Sequence, residues 1–346
     1  MLGQLRTQIQ QSAPFDVLLG SILRGDLESP IAVGGLSGSL LSFVVSSLSN
    51  SLKRQILVVT HDRAEAEQLL DDISLVHGDS ARLFDSGVVH SSSPEPNLSS
   101  SESIATLRAM LGSTAEIVVT SSDSLITRLP EPTLFGSSTI RLEADKDHPL
   151  TELLGRLNDS GFERREFVGT AGEYSLRGGI LDVFSYGSEY PVRCEFFGDT
   201  IESIREFDPL SQRSIREISL ASIVSQIFNE DPSQGATQES SLFGYLKSDA
   251  IVFLIEPELV WKRVDEVSAR HPERNAEARI LRDRLSDFVQ LHQELLSPAR
   301  DTVDFNSSPQ PSFNGNVQLL REHLLELRRN GVRVLVACDG QTELRR

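Results

Sequence analysis

A glycine-containing segment near the amino terminus has the position and part of the spacing of a phosphate-binding loop. It lies after an apolar stretch and before a helix predicted over 43–48, and it reads Gly35-Leu36-Ser37-Gly38-Ser39-Leu40-Leu41-Ser42. A working loop needs a second glycine, then a lysine for the β- and γ-phosphates and a hydroxyl for magnesium. Leu40 and Leu41 occupy the glycine and lysine positions, and only Ser42 is retained. We therefore interpret the segment as a degenerate loop, a structural turn that holds no nucleotide.

Other catalytic chemistry has little support in the sequence. No G-x-S-x-G elbow and no G-x-G-x-x-G fingerprint is present, and the seven histidines are scattered without metal-ligand spacing. A general acid/base set could in principle be formed by the carboxylates of Asp182, Glu195 and Asp208. On short, half-exposed strands such carboxylates more often pair with arginines or cap turns, and we favour that interpretation. We predict no catalytic residue and no metal site.

The charge balance argues against a chain whose whole surface grips nucleic acid. The sequence contains 50 acidic and 33 basic residues, for a net charge of −17. Proteins that bind the phosphate backbone normally carry a basic surface. A local basic patch stays open. Only four of the basic residues are lysines, and the arginine fork suits carboxylate partners as well as phosphates.

Residues 163–216 concentrate this arginine bias. The stretch holds seven arginines, ten acids and no lysine, interleaved with aromatic residues that include Tyr174, Phe184, Tyr186, Phe196 and Phe197. Arginine and aromatic side chains on a small strand-rich platform are typical of protein-interaction hot spots. The alternative, a solvated sheet whose arginines pair with neighbouring acids, is equally compatible with the composition.

The elements before this stretch alternate between strand and helix. Apolar runs and amphipathic periods predict strands over 56–60 and 116–120 and helices over 61–76, 104–111 and 123–129. Such alternation indicates a parallel α/β sheet. The serine- and proline-rich residues 91–103 are interpreted as an exposed loop.

After these elements the sequence predicts a series of short strands, and then again an alternation of strands and helices. A helix is predicted over 150–157, strands over 173–177, 180–184, 192–197 and 201–207, with Gly198-Asp199 as a hairpin turn. Beyond them follow a strand over 251–255, a helix after Pro257, a long charged helix over 273–296, a helix over 317–329 and a strand over 332–337. Because Arg346 falls inside what reads as a further helix, we expect a piece of a longer protein.

Compartment and redox state follow from the remaining composition. No apolar run approaches the roughly 20 residues that span a bilayer, and the start lacks the pattern of a signal peptide. Cys194 and Cys338 lie far apart, so both are interpreted as core residues rather than a disulfide. We expect a cytoplasmic protein.

A family resemblance is carried by residues 172–214, which read GEYSLRGGILDVFSYGSEYPVRCEFFGDTIESIREFDPLSQRS. The stretch is similar to the UvrA-binding domain shared by UvrB and the transcription-repair coupling factors (Mfd), through its R-G-x-x-[DE]-[VIL]-F, [VI]-R-x-E-F-F-G-D and I-x-x-I-R-x-F-D elements. The flanking segments look like the two halves of the first UvrB-type domain. The chain therefore resembles the amino-terminal UvrB-like region of the coupling factors, whose phosphate loop is degenerate.

The resemblance implies a fold and three segments. The fold is α/β, a degenerate P-loop, helicase-like parallel-sheet domain split by a small, β-rich α+β domain for UvrA interaction. Residues 1–140 and 221–346 would be the two halves of the sheet domain, and 141–220 the insert. In this family ATP, magnesium and DNA are bound by a motor, and RNA polymerase by another domain, both beyond Arg346.

The resemblance also implies site residues. In the family, arginines of the small domain hold UvrA, and the matching positions are Arg164 and Arg177, with Leu181 and Phe184 as apolar contacts. Phe184 is also the type of residue that strands bury. Arg177 is favoured as the dominant contact, because Gly178 and Gly179 beside it would admit a partner backbone.

Two positions of the small domain differ from the UvrB pattern, and two of its other arginines have a different expected role. Two further basic positions of the UvrB pattern fall on Ala171 and Ser175, so the contact differs from that of UvrB. Arg193 and Arg205 are expected to form stabilising pairs within the domain.

The function implied is an adaptor that recruits UvrA to stalled RNA polymerase in transcription-coupled nucleotide excision repair. The segment itself would not be an enzyme, while the full-length protein would be an ATP-dependent DNA translocase. Two alternatives stay open, an ATPase and a UvrB-like module that binds damaged DNA. Leu40 and Leu41 count against the first, and the net charge and the lack of an aromatic-rich hairpin after the loop count against the second.

Overall fold

The computed structural model describes most of the chain. The described residues are 2–25, 29–78, 80–86, 101–112, 116–127, 129–137, 139–186, 188, 190–224, 239–270, 275–293, 302–309, 311–332 and 334. Two compact units are distinguished, residues 1–306 and residues 307–346.

Eleven α-helices lie in the described ranges. They are α1 (Leu2–Gln10), α2 (Ala13–Arg24), α3 (Leu40–Leu52), α4 (Arg63–His77), α5 (Ser101–Leu111), α6 (Ser122–Leu125), α7 (Pro132–Ser137), α8 (Leu150–Asp159), α9 (Pro257–Arg270), α10 (Asn275–Leu285) and α11 (Val317–Arg329). A short 3₁₀ helix covers Leu242–Tyr245.

Seventeen strands accompany them within the same ranges. They are β1 (Ile31–Gly34), β2 (Ile56–Thr60), β3 (Ala81–Phe84), β4 (Ile117–Ser121), β5 (Leu129–Pro130), β6 (Thr139–Glu143), β7 (Glu163–Arg164), β8 (Glu173–Arg177), β9 (Ile180–Val183), β10 (Val192–Phe197), β11 (Thr200–Phe207), β12 (Ser214–Ile218), β13 (Leu220–Val224), β14 (Glu239–Ser240), β15 (Ile251–Ile255), β16 (Val289–Gln293) and β17 (Val303–Asp304).

The larger sheet is parallel, with strand order β17-β1-β16-β15-β2-β4-β3. Strands β2, β4 and β15 are buried along their whole length, as strands covered by helices on both faces must be. Alternate residues of β2 enter two separate cores: Ile56 and Val58 pack with α2, α3 and α4, while Leu57 and Val59 pack with α5, α9 and α10. The predicted α/β fold is confirmed.

Strand β16 corrects the sequence prediction of one long helix over 273–296. The helix ends at Leu285, and Val289–Gln293 runs as a strand between β1 and β15, with Ile251 opposite Val289. Its burial alternates, with Val289, Leu291 and Gln293 buried. The alternation of period two was present in the sequence, but the polar residues between made the segment look like a charged helix.

Three smaller predictions also need correction. The helix predicted over 123–129 ends at Leu125, and Leu129–Pro130 pairs with Glu239–Ser240. Of the loop predicted over 91–103, residues 101–103 belong to α5 and the rest lies outside the described residues. Val332 and Val334 are not in a strand, and the remainder of the strand predicted over 332–337 is likewise outside the described part.

A second, β-rich sheet is inserted between β4 and β15, with order β12-β11-β10-β9-β8-β7. Its strands from β8 to β12 are antiparallel, and β7 joins β8 in parallel. Helix α8 covers one face through Leu153 and Leu157, which pack in a core with Leu181, Cys194 and Ile204. The four strands and the Gly198-Asp199 turn predicted for this region are confirmed, and Gly198 has a φ of 63°.

A two-stranded antiparallel ribbon of β6 and β13 connects this sheet to the larger one. Ile140 and Leu142 of β6 and Ala221 and Ile223 of β13 join the core of the inserted sheet. The segment boundaries predicted after residues 140 and 220 fall in or beside these two strands, and they stay a prediction.

The second unit, residues 307–346, contains helix α11. The helix is capped by Asn316, whose side chain accepts hydrogen bonds from the amides of Gln318 and Leu319 at 3.1 Å each. Among all helices within the described ranges, none combines the length and apolar character needed to cross a bilayer.

Candidate functional site

The face of the inserted sheet opposite α8 is built from polar side chains in register across the strands. Because side chains alternate along a strand, the residues paired with one another share a face. Asp182 is paired with both Ser175 and Arg193, and Arg193 is paired with Arg205. The core residues lie one position away, on the other face. We call the face that carries Asp182 the outer face.

Asp182 is the centre of an ion cluster on the outer face. Its side chain is 1% exposed, and it receives hydrogen bonds from Arg177 Nη2 at 2.7 Å and from Arg193 Nε and Nη2 at 2.7 and 2.8 Å. Arg193 also lies over the ring of Phe207, 4.3 Å from its centroid. The hydrogen bonds that Arg193 donates to Asp182 raise the pKa of its guanidinium. A buried carboxylate held by two guanidinium groups fixes both arginines in place.

Arg177 is the more exposed of the two arginines, and the segment after β7 positions it. The carbonyl oxygen of Glu166 accepts hydrogen bonds from Arg177 Nη1 at 3.0 Å and from Ser175 Oγ at 2.8 Å. The Phe167 ring lies 4.7 Å from the Arg177 guanidinium carbon, and this phenylalanine is 58% exposed. With 36% of its own side chain exposed, Arg177 presents a prearranged cation beside an exposed aromatic ring.

The other predicted contact residues lie in different environments. Arg164 is exposed on the edge strand β7, in register with Tyr174, and its side chain makes no hydrogen bond or ion pair within the described part of the chain. Leu181 is fully buried in the core, so it supports the sheet and does not reach the surface. Phe184 is 9% exposed and packs with Val168.

For Leu181 this burial excludes the direct partner contact predicted for it in the folded domain. Phe184 belongs to a small apolar cluster on the outer face, together with Val168 and Phe207. That cluster is the core role which the sequence also allowed for Phe184. Both residues shape the platform beneath the exposed groups.

The two glycines beside Arg177 are required by the hairpin itself. Gly178 has a φ of 61°, which side-chain-bearing residues rarely adopt. A Cβ on Gly179 would lie 2.8 Å from the carbonyl oxygen of Phe196, to whose amide the Gly179 carbonyl is also hydrogen bonded. The glycine pair is therefore explained by the turn and by sheet packing, and it does not by itself indicate the approach of a partner backbone.

The two positions where the UvrB pattern is basic also differ in environment. Ser175 is buried and its hydroxyl holds the Glu166 carbonyl, so a longer basic side chain would displace the segment that carries Phe167. Ala171 is exposed in the turn before β8. The outer face is thus organised differently around position 175.

The remaining carboxylates behave as arginine partners or turn caps, as the sequence predicted. Glu195 accepts hydrogen bonds from Arg205 at 3.2 Å and from Ser203 at 2.9 Å. Asp208 accepts the amide of Ser211 at 2.6 Å and closes a turn, and this hydrogen bond lowers the pKa of its carboxyl. The pairs predicted for Arg193 and Arg205 are confirmed.

The degenerate phosphate loop occupies the expected place between β1 and α3. Gly35 and Gly38 have φ values of 64° and 60°, and helix α3 begins at Leu40. Leu41, at the lysine position, is 8% exposed and packs in the core of the larger sheet. Ser42 is buried, and its hydroxyl has no hydrogen-bond partner in the described part of the chain. No cation stands at this position to meet a phosphate.

Cys194 is buried in the inserted sheet, as predicted, and burial raises the pKa of its thiol to about 12. Cys338 lies outside the described residues. Across the parts of the chain that the structure describes, no three His, Cys, Asp or Glu side chains converge as a metal site requires.

Sequence reasoning missed two features of the outer face. Phe167 was not singled out, although an aromatic residue next to Arg164, Arg165 and Glu166 was a usable signal. The sharing of Asp182 by Arg177 and Arg193 depends on the strand register, which composition does not determine.

The parallel sheet with its degenerate loop and the inserted arginine-bearing sheet define an α/β domain that carries a UvrB-type interaction module. Residues 140–227 match the family model described as the UvrB interaction domain. The match covers the inserted sheet, the connecting ribbon and the outer face.

The relatives are transcription-repair-coupling factors. The protein of that name from Bacillus subtilis (strain 168) is 31% identical over 228 residues, which cover 64% of this chain and 19% of the relative. That from Mycobacterium bovis is 35% identical over 188 residues, or 51% of this chain and 15% of the relative, and that from Myxococcus xanthus is 30% identical over 200 residues, or 55% and 17%. The aligned part spans less than a fifth of each relative's length. The resemblance to the UvrB-like region of these factors, expected from the motifs, is confirmed.

Proposed function

We propose that this chain is the UvrA-recruiting part of a transcription-repair coupling factor and that the outer face of its inserted sheet is the contact surface. The observation that carries the proposal is the coincidence of the matched UvrB interaction domain with an exposed, prearranged Arg177–Phe167 pair. UvrA would bind as a protein partner, and turnover of a substrate by this segment is not part of the proposal.

The ion cluster supports this role energetically. A flexible arginine loses rotamer freedom when it binds, at a cost of about 0.5–1.5 kcal/mol per immobilised side chain. Arg177 is already held by Asp182 and by the Glu166 carbonyl, so much of that ordering is complete before a partner arrives. Its exposed fraction and the Phe167 ring can then contact an acidic or aromatic group on UvrA.

Arg164 contributes differently. It is exposed at the sheet edge, where its charge is solvated, so its pairing with a UvrA carboxylate at the rim would change the association rate more than the final affinity. Arg177, next to an aromatic ring that a partner would cover, is the position where desolvation makes truncation costly, at about 2–5 kcal/mol.

We also propose that the larger sheet holds no nucleotide. The apolar, buried Leu41 replaces the cation that a triphosphate requires, and Leu40 replaces the second glycine. A thermal-shift titration with magnesium and ATP checks this. The expected melting temperature is unchanged, and a saturable rise would contradict the proposal.

The whole protein is proposed to act as the relatives' name states, by coupling transcription to repair. In that protein a separate ATP- and magnesium-dependent motor would translocate on DNA and another part would contact RNA polymerase in the cytoplasm. The 346-residue segment would then be the adaptor between the stalled polymerase and UvrA.

The proposal is tested by calorimetric titration of UvrA from the same organism into the chain. Wild type is compared with Arg177→Ala and Phe167→Ala, each expected to weaken binding tenfold or more, which corresponds to about 1.4 kcal/mol or more. Phe167 is exposed, so its truncation tests the surface without disturbing the core.

Arg205→Ala is the matched control. Arg205 is 37% exposed, close to the 36% of Arg177, and it is also paired with a carboxylate of the same sheet. The control is expected to weaken binding less than threefold. Absence of binding by folded wild type would reject the outer face as the contact surface. Equal weakening by the control, which lies on the same face, would reject Arg177 and Phe167 as the dominant contacts.

A further inference from the structure

A cleft lies between helix α5 and the inserted sheet, away from the Arg177 cluster. It has a volume of about 230 Å³ and is lined on one side by Arg108 and on the other by residues of β9, β10, β11, β13 and the segment before β10. The polar groups that line it include Ser188, Ser222 and Glu206. Both the parallel-sheet domain and its insert therefore contribute residues to this cleft.

Arg108 is the unusual member of this lining. Its guanidinium is partly buried, and burial lowers its pKa, with no carboxylate that offsets the loss of solvation. Within the described part of the chain its side chain has no ion pair or hydrogen bond. Two other partly buried arginines have carboxylate partners, Arg193 with Asp182 and Arg263 with Asp123. A cation removed from water without a counter-ion is unfavourable and favours an anion beside it.

The carboxylate in the cleft does not serve as that counter-ion. Glu206 is held by Arg216, with Nε bonded to Oε2 and Nη2 to Oε1 at distances of 2.5 and 3.0 Å. This bidentate pair neutralises the carboxylate and leaves the Arg108 charge uncompensated. The hydroxyls of Ser188 and Ser222 on the opposite wall can donate to an oxyanion.

We propose that this cleft binds a small anion of the phosphate class, held by the Arg108 fork and the serine hydroxyls of the inserted sheet. The volume is below the roughly 300–1,000 Å³ of sites that enclose drug-sized ligands, so it suits a free phosphate or the terminal phosphate of a small ester. An anion there contacts both the helix of the larger sheet and the insert, and it therefore favours their present arrangement. The proposal does not depend on UvrA binding.

The test is thermal unfolding of the 346-residue chain in inorganic phosphate at up to about 50 mM, with ionic strength matched by sodium chloride. One guanidinium and two hydroxyls are expected to give a dissociation constant in the millimolar range. At tenfold that concentration the melting temperature should rise by about 2 °C. Adenosine monophosphate at the same concentrations distinguishes a free phosphate from a phosphate ester, since the preferred form stabilises more.

Arg108→Met keeps a long side chain and removes the charge. It is expected to abolish the response to phosphate and, without phosphate, to melt no lower than wild type, because it removes an uncompensated cation. Arg165→Met is the control, since Arg165 is 54% exposed, does not line the cleft and should leave the response intact. If Arg108→Met does not fold, Arg108→Lys keeps the charge without the fork and should weaken the response at least threefold. No saturable response in wild type, or an unchanged one in Arg108→Met or Arg108→Lys, overturns the proposal.

Discussion

Replacing Asp182 with alanine is expected to destabilise the inserted sheet more than any change to the arginines that hold it. Asp182 is 1% exposed and accepts three charge-assisted hydrogen bonds, from Arg177 and Arg193. Removal of one member of a buried ion pair costs about 3–5 kcal/mol, because the remaining charge has no partner. Here the carboxylate is the shared member, so its loss leaves two guanidinium groups uncompensated.

The arginines are expected to rank in order of their contacts. Arg193 donates two of the three bonds, is 17% exposed and covers Phe207, so Arg193→Ala should cost about 2–4 kcal/mol. Arg177 donates one bond to Asp182 and is about one-third exposed, so Arg177→Ala should cost about 1–2 kcal/mol after solvent screening. Arg193 still holds Asp182 in that variant.

The assay is urea unfolding followed by circular dichroism, with the free energy of unfolding compared between variants at constant slope. Arg205→Ala is the control, because Arg205 and its partner Glu195 are 37% and 35% exposed, and exposed pairs contribute about 0–1 kcal/mol. If Asp182→Ala costs no more than Arg205→Ala, or if Arg177→Ala costs more than Arg193→Ala, the ion cluster does not organise the outer face as argued.

Three further predictions concern other parts of the chain. Gly179→Ala should lower the free energy of unfolding by about 1–3 kcal/mol, because the new Cβ meets a backbone carbonyl. Gly155→Ala on α8, where a Cβ has open space, should raise it by about 0.5–1 kcal/mol. Urea unfolding measures both changes. Burial lowers the pKa of His292 from 6.5 to about 4. The contribution of the neutral His292 imidazole to the free energy of unfolding is therefore fully present above pH 6.5 and is lost as the pH falls toward 4. Stability should thus fall by about 1 kcal/mol between pH 7.5 and 5.5, and less in His292→Gln. In a Cys338→Ser variant, the buried Cys194 should resist a thiol reagent until the chain unfolds, and fast native labelling would contradict its burial.

The strands whose patterns are unambiguous could be predicted from the sequence. Continuous apolar runs marked β2 and β15, because strands covered on both faces bury every residue. Strand β16 was missed because glutamine and histidine occupy three of its five positions, and only the sheet shows that Val289 and Leu291 enter the same core.

The candidate site was predictable in type but not in arrangement. Its motif and arginine content indicated an interaction surface, and the relatives support that identification. The contact residues depend on register: Leu181 and Asp182 are adjacent in sequence, yet one enters the core and the other joins the outer face. A shift of one residue would have exchanged them, and composition does not distinguish the two registers.

Hydrogen exchange of the chain with and without UvrA tests the central claim most directly. The account predicts complex formation with slowed amide exchange in residues 163–168 and 176–181, which carry Arg164, Phe167 and Arg177, and unchanged exchange in the degenerate loop at 35–42. A complex whose protection lies elsewhere, or no complex with a folded chain, would contradict the assignment of the outer face as the UvrA surface.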